Sequence, residues 1–138
     1  MPAKDAVHDL VRRLLEEAGW IITHDPLYLK FGERGTFVDL GAEKVLGAER
    51  QGRKIAVEIK SFIGASAIAD LEKALGQFVV YKAILSVREP DRETYVALPK
   101  DAYEDLLNNR EGDAVIKSCA LKLILFDDTK EVIVQWIE

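Results

Sequence analysis

The sequence is poor in the residues and runs that would define several classes of protein. Its 138 residues include one cysteine and two histidines. A lone cysteine excludes an internal disulfide framework, and two histidines far apart in the chain form no zinc motif. No apolar run approaches the roughly 20 residues that a membrane helix needs, and the first residues lack the apolar segment of a secretion signal. We therefore expect a cytoplasmic protein that does not span a membrane.

Positive charge is also scarce, because the net charge is −5 at pH 7. Tight, free-standing DNA binding draws its affinity from Lys and Arg on phosphates, so this balance argues against a solitary sequence-specific DNA-binding protein. It does not exclude a nuclease fold, since active-site carboxylates bind cations and a partner protein can supply a basic surface. No glycine-rich phosphate loop, nucleophile elbow or dinucleotide fingerprint is present. The composition, 49% hydrophobic and 31% charged, indicates one globular domain over residues 1–138.

The most informative stretch runs from Thr36 to Phe62. Asp39 ends one apolar run, and Glu58 and Lys60 lie at the end of a second. Alternation along a strand places Glu58 and Lys60 on one face, while the apolar residues between them face the other way. Two carboxylates on neighbouring strands can bind Mg²⁺, which prefers oxygen ligands, and such an ion can activate water beside a phosphate. A structural ion pair of Glu58 with Lys60, with Asp39 in a loop, is the alternative, and the residues alone leave both open.

The pattern Asp39…Glu58-x-Lys60 resembles the PD-(D/E)XK nuclease superfamily, although Val38 stands where that pattern has a proline. Longer stretches narrow the resemblance. VDLGAEK…IAVEIKSF, GWIITHDPLYLKFG and ALGQFVVYKAIL are similar to the XisH family, known as fdxN-element excision controlling factors. The resemblance extends over nearly the whole chain, from about residue 8 to residue 136.

The resemblance implies the restriction-endonuclease-like fold, an α/β domain in which helices flank a central mixed β-sheet. It further implies that Asp39 and Glu58 bind Mg²⁺ or Mn²⁺, with the carbonyl of Ile59 as a further ligand. In this arrangement Lys60 positions the attacking water and Gln77 orients the substrate or the lysine.

Gln77 and Tyr81 also carry part of the resemblance. Their i, i+4 spacing places both on one helix face and resembles a Q-x-x-x-Y motif of RecB-like nucleases. A polar stripe on a half-buried helix is the alternative. His8 on the first predicted helix and Glu43 near Asp39 are further candidates for the same site, with a surface role favoured for His8.

Two functions are therefore open. One is a Mg²⁺-dependent DNA endonuclease. The other is an accessory factor that controls site-specific DNA excision without cutting DNA, as XisH-like proteins are known to assist excision of the fdxN element during heterocyst differentiation in cyanobacteria. The resemblance implies DNA, an XisI-like companion and, indirectly, a site-specific recombinase as partners, and it leaves a homo-oligomer open. We expect an intact nuclease-like site in a protein whose role is excision control.

Periodicity and turn residues predict the order of the elements. Helices are expected at residues 3–18, 66–87 and 100–108, with Ser66 as an N-cap, and residues 110–118 are left as a turn with a short helix. The last two strands are apolar on both faces, which indicates a covered sheet or a protein interface. Strands are expected at 20–23, 28–31, 36–39, 54–61 after a tight Gln51-Gly52 hairpin, 94–98, 121–126 and 131–137. Residues 40–50 are expected as an extended strand with bulges at Gly41 and Gly47, and a short helix is the alternative.

Overall fold

The computed structural model describes residues 4–46, 51–62 and 65–138. Within these ranges the helices and strands follow one another in the predicted order. The elements are α1 (Lys4–Glu17), β1 (Ile21–His24), β2 (Leu27–Phe31), β3 (Arg34–Val38), β4 (Leu40–Leu46), β5 (Gln51–Ile59), α2 (Ala67–Arg88), β6 (Arg92–Pro99), α3 (Lys100–Leu106), α4 (Arg110–Cys119), β7 (Leu123–Asp127) and β8 (Val132–Ile137).

Six strands form one mixed sheet in the order β1-β4-β5-β6-β7-β8. The central pairs β5–β6 and β6–β7 are parallel, and the outer pairs are antiparallel. Central parallel strands are covered on both faces, so consecutive residues from Ile55 to Ile59 are all buried. Strands β2 and β3 pair only with each other, as a separate hairpin. The prediction of a mixed α/β fold is confirmed, and the arrangement is consistent with the restriction-endonuclease-like fold.

Helices cover the sheet on both faces. On one face, α1 buries a stripe of residues at helical spacing, Val7, Val11, Leu14 and Leu15, against Leu40 and other inward side chains of the sheet. On the other face, α2 packs through Leu71 and Phe78 against β6 and β7, with residues of α3 and α4 at the border of this cluster. The β2–β3 hairpin lies on the α2 face, where Leu27, Leu29 and Val38 pack with Ala56 of β5 and with Tyr81, Ile84 and Leu85 of α2.

Helix α2 begins as the sequence predicts. The side chain of Ser66 accepts a hydrogen bond from the backbone N–H of Ala69 at 3.2 Å, and the helix then runs to Arg88. The sequence predicts for this helix an apolar face made of Ile68, Leu71, Leu75, Phe78, Val79 and Ile84. This prediction is partly wrong, because Ile68 and Val79 are exposed. The buried face of α2 consists instead of residues at helical spacing, namely Leu71, Ala74, Phe78, Tyr81, Ile84 and Leu85.

The predicted turn between β4 and β5 is wrong. Gln51 pairs with Leu46 and Gly52 pairs with Val45, so the Gln51-Gly52 pair belongs to β5. The connection therefore falls within residues 47–50, which lie outside the described residues, as does the bulge predicted at Gly47. Gly41 lies in regular register with β5, and the irregularity is in β1, between Ile22 and His24.

The C-terminal half contains one more helix than the sequence analysis settled. Residues 110–119 form α4, and the side chain of Asn109 caps it by accepting a hydrogen bond from the N–H of Gly112 at 2.7 Å. Strand β7 is buried along its whole length, which agrees with the expected covered sheet. Strand β8 is an edge strand, where Val132 and Val134 are exposed.

Two glycines give a paired test of the packing. A Cβ at Gly112 would overlap the backbone carbonyl of Leu107, whereas a Cβ at Gly76, within α2, would meet no atom within 4 Å. We expect Gly112→Ala to lower the free energy of unfolding by about 2 kcal/mol or more, because the backbone must move. Gly76→Ala should raise it by up to about 1 kcal/mol through helix propensity. Urea denaturation followed by circular dichroism measures both, and equal effects would contradict the described start of α4.

Candidate active site

Asp39 and Glu58 lie side by side on adjoining strands. Asp39 is the single residue between β3 and β4, and because Leu40 pairs with Val57, it lies opposite Glu58. The backbone N–H of Asp39 donates to Oε1 of Glu58 at 3.3 Å, and the backbone N–H of Ile59 donates to Oδ2 of Asp39 at 2.8 Å. Each carboxylate thus accepts a hydrogen bond from the other strand, which fixes the position of both.

Lys60 completes the group. Its Nζ lies 3.3 Å from Oε2 of Glu58, and the Lys60 side chain is 19% exposed against 7% for Glu58. The backbone N–H of Lys60 donates to the carbonyl of Ala97 at 2.9 Å, so the parallel pairing with β6 holds this residue beyond the end of β5. Val57 and Ile59 pack in the α1 cluster on the opposite face. The structure therefore brings Asp39, Glu58 and Lys60 together on the α2 face of the sheet.

Glu58 is the electrostatic centre of the group. Burial, reinforced by the negative charge of Asp39, raises the pKa of Glu58 to about 7, while Lys60 and the N–H of Asp39 act in the opposite direction. A buried carboxyl beside a like charge is costly to ionise. A divalent cation between the two carboxylates would remove that repulsion, so the arrangement has the charge pattern of a cation site.

The donor set fits a hard cation that keeps several waters. Among the residues that the structure describes, no group of three or more His, Cys, Asp or Glu side chains converges on one point. Mg²⁺ commonly binds proteins through one or two carboxylates and fills the remaining positions with water and substrate oxygens. Asp39 and Glu58 supply such a pair, and the carbonyl of Ile59 is the further ligand that the sequence predicts.

Tyr81 and Gln77 border the group from α2. Burial and the negative charges of Glu58 and Asp39 raise the pKa of Tyr81, while hydrogen bonds with Thr36 and Gln77 oppose the rise. Tyr81 also packs with Val38, which precedes Asp39, and with Ala56, two residues before Glu58 on the same face of β5. Oε1 of Gln77 is buried and has no hydrogen-bond partner among the described residues. A buried acceptor of this kind calls for a donor, which a ligand or an ordered water would supply.

His8 takes part in a surface ion pair, as the favoured interpretation has it, whereas the expectation that Glu43 lies near Asp39 is wrong. Nε2 of His8 is 2.7 Å from Oδ1 of Asp25, in a surface cluster that ties α1 to the turn after β1. Glu43 is four residues beyond Asp39 on an extended chain, about 13 Å at the usual rise per residue. Its Oε1 is 3.6 Å from Nη2 of the buried Arg92. Glu43 is thus engaged with Arg92 away from Asp39, and His8 is engaged with Asp25 at the surface.

A cleft beside Asp39, Glu58 and Lys60 was not predicted from the sequence. It has a volume of about 390 Å³ and lies between the β2–β3 hairpin and α2. The position of the cleft depends on how the hairpin folds over α2. The one local indication in the sequence is Thr36, a polar residue on β3 that shares the inward face with buried Val38. The lining residues are Phe31, Arg34, Gly35, Thr36, Gly76, Gln77, Val80, Tyr81 and Ile84.

The fold and the site define a mixed α/β domain in which two carboxylates and a lysine converge at the junction of a hairpin with the main sheet. Comparison with known sequences identifies the family to which the chain belongs. The chain belongs to the XisH family, since the family profile described as XisH protein matches residues 1–134. The family resemblance found in the sequence is thus confirmed. No curated protein matches the chain.

Two solved structures are similar over almost the whole chain. One is an fdxN element excision controlling factor protein from Anabaena variabilis, 38% identical, with a TM-score of 0.87 over 98% of this chain and 100% of that chain. The other is an XisH family protein from Nostoc punctiforme PCC 73102, 38% identical, with a TM-score of 0.85 over 97% of this chain and 100% of that chain. None of the helices described here has the length and apolar character needed to cross a membrane.

Proposed function

We propose that this protein is an excision controlling factor for site-specific DNA recombination of the fdxN-element type, and that it carries a metal-dependent endonuclease-like site. Membership of the XisH family and the likeness to the Anabaena variabilis factor support the first part. The observation that carries the second part is the pair of hydrogen bonds that hold the carboxylates of Asp39 and Glu58 together, with Lys60 beside them.

The residues of the chain divide the work as follows. A bound divalent cation supplies charge stabilisation and a more acidic water. Asp39 and Glu58 would hold it, with the Ile59 carbonyl as a further ligand. The Lys60 ammonium orients the attacking water or neutralises charge on the phosphate. Gln77, through its unpaired Oε1, orients the substrate or Lys60.

Partners follow from the family and the charge. With a net charge of −5, the chain has little general affinity for DNA, so an XisI-like companion would contribute to DNA engagement and to recognition of the recombinase complex. The second candidate is an endonuclease that cleaves DNA as its own biological activity. Its support is that Asp39, Glu58 and Lys60 are all present and lie together.

Metal titration tests the site directly. We expect Mn²⁺ or Mg²⁺ to bind the protein at pH 8, and Asp39→Asn to weaken binding at least tenfold, because one of two carboxylates loses its charge. Glu43→Gln is the matched control, since it removes a carboxylate of β4 that lies four residues beyond Asp39 on an extended chain. Isothermal titration calorimetry measures all three, and equal affinity of native protein and Asp39→Asn would sink the site. The excision role is tested by recombination of an fdxN-type element with and without the protein.

A further inference from the structure

The β2–β3 hairpin presents an aromatic surface that the core does not need. Tyr28, Phe31 and Phe37 are 53%, 64% and 57% exposed. Tyr28 and Phe37 are opposite each other in the hairpin register, with ring centroids 5.3 Å apart. The inward side chains of the hairpin, such as Leu29, already anchor it against α2. Tyr28 and Phe37 therefore lie on the outer face of the hairpin, whereas Phe31 lies near its tip on the side of α2.

The tip of this hairpin forms one wall of the cleft beside the carboxylates. Phe31 and Arg34 lie on the hairpin side, and Gly76, Gln77 and Val80 lie on the α2 side. The unpaired Oε1 of Gln77 belongs to this lining. Tyr81 also lines the cleft, and it packs with Val38, which precedes Asp39, and with Ala56, two residues before Glu58 on the same face of β5. Phe31 is thus the one of the three exposed rings that the cleft links with the candidate active site.

Unpaired cations accompany the rings. Lys30 and Arg34 lie on the hairpin, and Lys73 lies one helical turn before Gly76 and Gln77 on α2. None of these three cations has a carboxylate partner among the described residues, whereas Arg12 and Arg53 are each paired. Glu33 is the one acid of the hairpin. Lys73 has Glu72 beside it on α2, so the excess of positive charge lies on the hairpin, where two cations accompany one acid in a chain of net charge −5, and an anionic ligand would match it.

We propose that the β2–β3 hairpin and the facing side of α2 bind an unpaired stretch of DNA and lead it to the carboxylate pair. The proposal rests on the proposed endonuclease-like function and names its substrate class. Aromatic side chains stack only on bases whose faces are free, which a continuous duplex does not offer. Lys30, Arg34 and Lys73 pair with the backbone phosphates, and Oε1 of Gln77 accepts a hydrogen bond from a base amino or imino group. An apolar protein partner would cover the rings but leave these cations unmatched.

Fluorescence anisotropy in EDTA tests the proposal without cleavage. We expect a labelled single strand of about 20 nucleotides, enough for one site, to bind more tightly than the duplex of the same sequence. Phe31→Ala and Arg34→Ala should each weaken single-strand binding about tenfold, the effect of losing one stacked base or one phosphate contact. Both residues are exposed, and circular dichroism checks that the variants fold. Val132→Ala and Arg110→Ala are the matched controls at exposed positions outside the cleft and should leave binding unchanged.

The outcomes separate this proposal from the function it rests on. Asp39→Asn should bind the single strand as the native protein does, so a failure of metal binding or cleavage leaves the hairpin assignment standing. Equal affinity for single strand and duplex overturns it, and so does full binding by Phe31→Ala. Failure of the native protein to bind either DNA overturns it as well and assigns the aromatic surface to a protein partner.

Discussion

Lys60→Ala is expected to lower metal-dependent DNA cleavage about a hundredfold or more. The Lys60 ammonium lies against Glu58 at 3.3 Å and is only partly exposed, so its charge acts in a poorly solvated site. Removing one preorganised cationic or hydrogen-bonding group that stabilises a transition state costs about 10²–10³ in rate. The assay follows conversion of supercoiled and branched DNA with Mg²⁺ or Mn²⁺, with and without the XisI-like companion.

Two controls distinguish a catalytic role of Lys60 from a general effect of losing a positive charge and from a loss of metal binding. Lys54→Ala removes another lysine from the same face of the same strand, where it pairs with Asp91, and should leave cleavage unchanged. Lys60→Ala should still bind Mn²⁺, because both carboxylates remain, so a loss of cleavage cannot be ascribed to a lost metal. Full cleavage by Lys60→Ala would contradict its assigned role. If the native protein cleaves DNA under no condition while excision still depends on it, the protein is an accessory factor without nuclease activity.

Glu58→Gln is expected to stabilise the metal-free protein at pH 8 and to have far less effect at pH 5. The pKa of Glu58 is about 7 in the folded protein against 4.5 ordinarily, so the folded state binds the proton more tightly. This contribution to stability is fully present below pH 4.5 and is lost as the pH rises through 7. The difference corresponds to about 3 kcal/mol. Glutamine keeps the shape of the protonated acid and removes the dependence.

Urea denaturation in EDTA at several pH values between 5 and 8 measures this effect. Glu93→Gln is the control, because hydrogen bonding and charge from Lys122 lower the pKa of Glu93. The stabilisation from Glu93 is lost only at acid pH, so its variant should show no added slope above pH 5. Saturating Mn²⁺ at pH 8 should stabilise the native protein but not Glu58→Gln. Parallel stability profiles of native protein and Glu58→Gln would show that Glu58 ionises normally.

The site elements that local pattern controls were predictable. Strand alternation places Glu58 and Lys60 on one face, and pairing of β4 with β5 then places Asp39 beside them. The cap at Ser66 likewise depends only on neighbours in the chain. By contrast, the prediction that Glu43 lies near Asp39 is wrong. The two are only four residues apart in the sequence, but an extended chain separates residues that a helix would bring together.

Features that depend on long-range packing were not predictable. The cleft exists because Leu27 and Leu29 of the hairpin bury themselves against α2, and no local signal fixes that angle. The contact of His8 with Asp25 is set by how α1 lies over the turn that follows β1. The Gln51-Gly52 pair has the composition of a turn, yet pairing with Leu46 and Val45 keeps it within a strand.

The link between β3 and β4 is one residue long, and that residue is Asp39. There is no spare length of chain between the aromatic hairpin and the main sheet, so the hairpin cannot tilt or slide without turning the aspartate backbone. Such a turn would stretch the hydrogen bonds that Asp39 exchanges with Glu58 and Ile59. Any displacement of the hairpin would therefore change the spacing of the two acids.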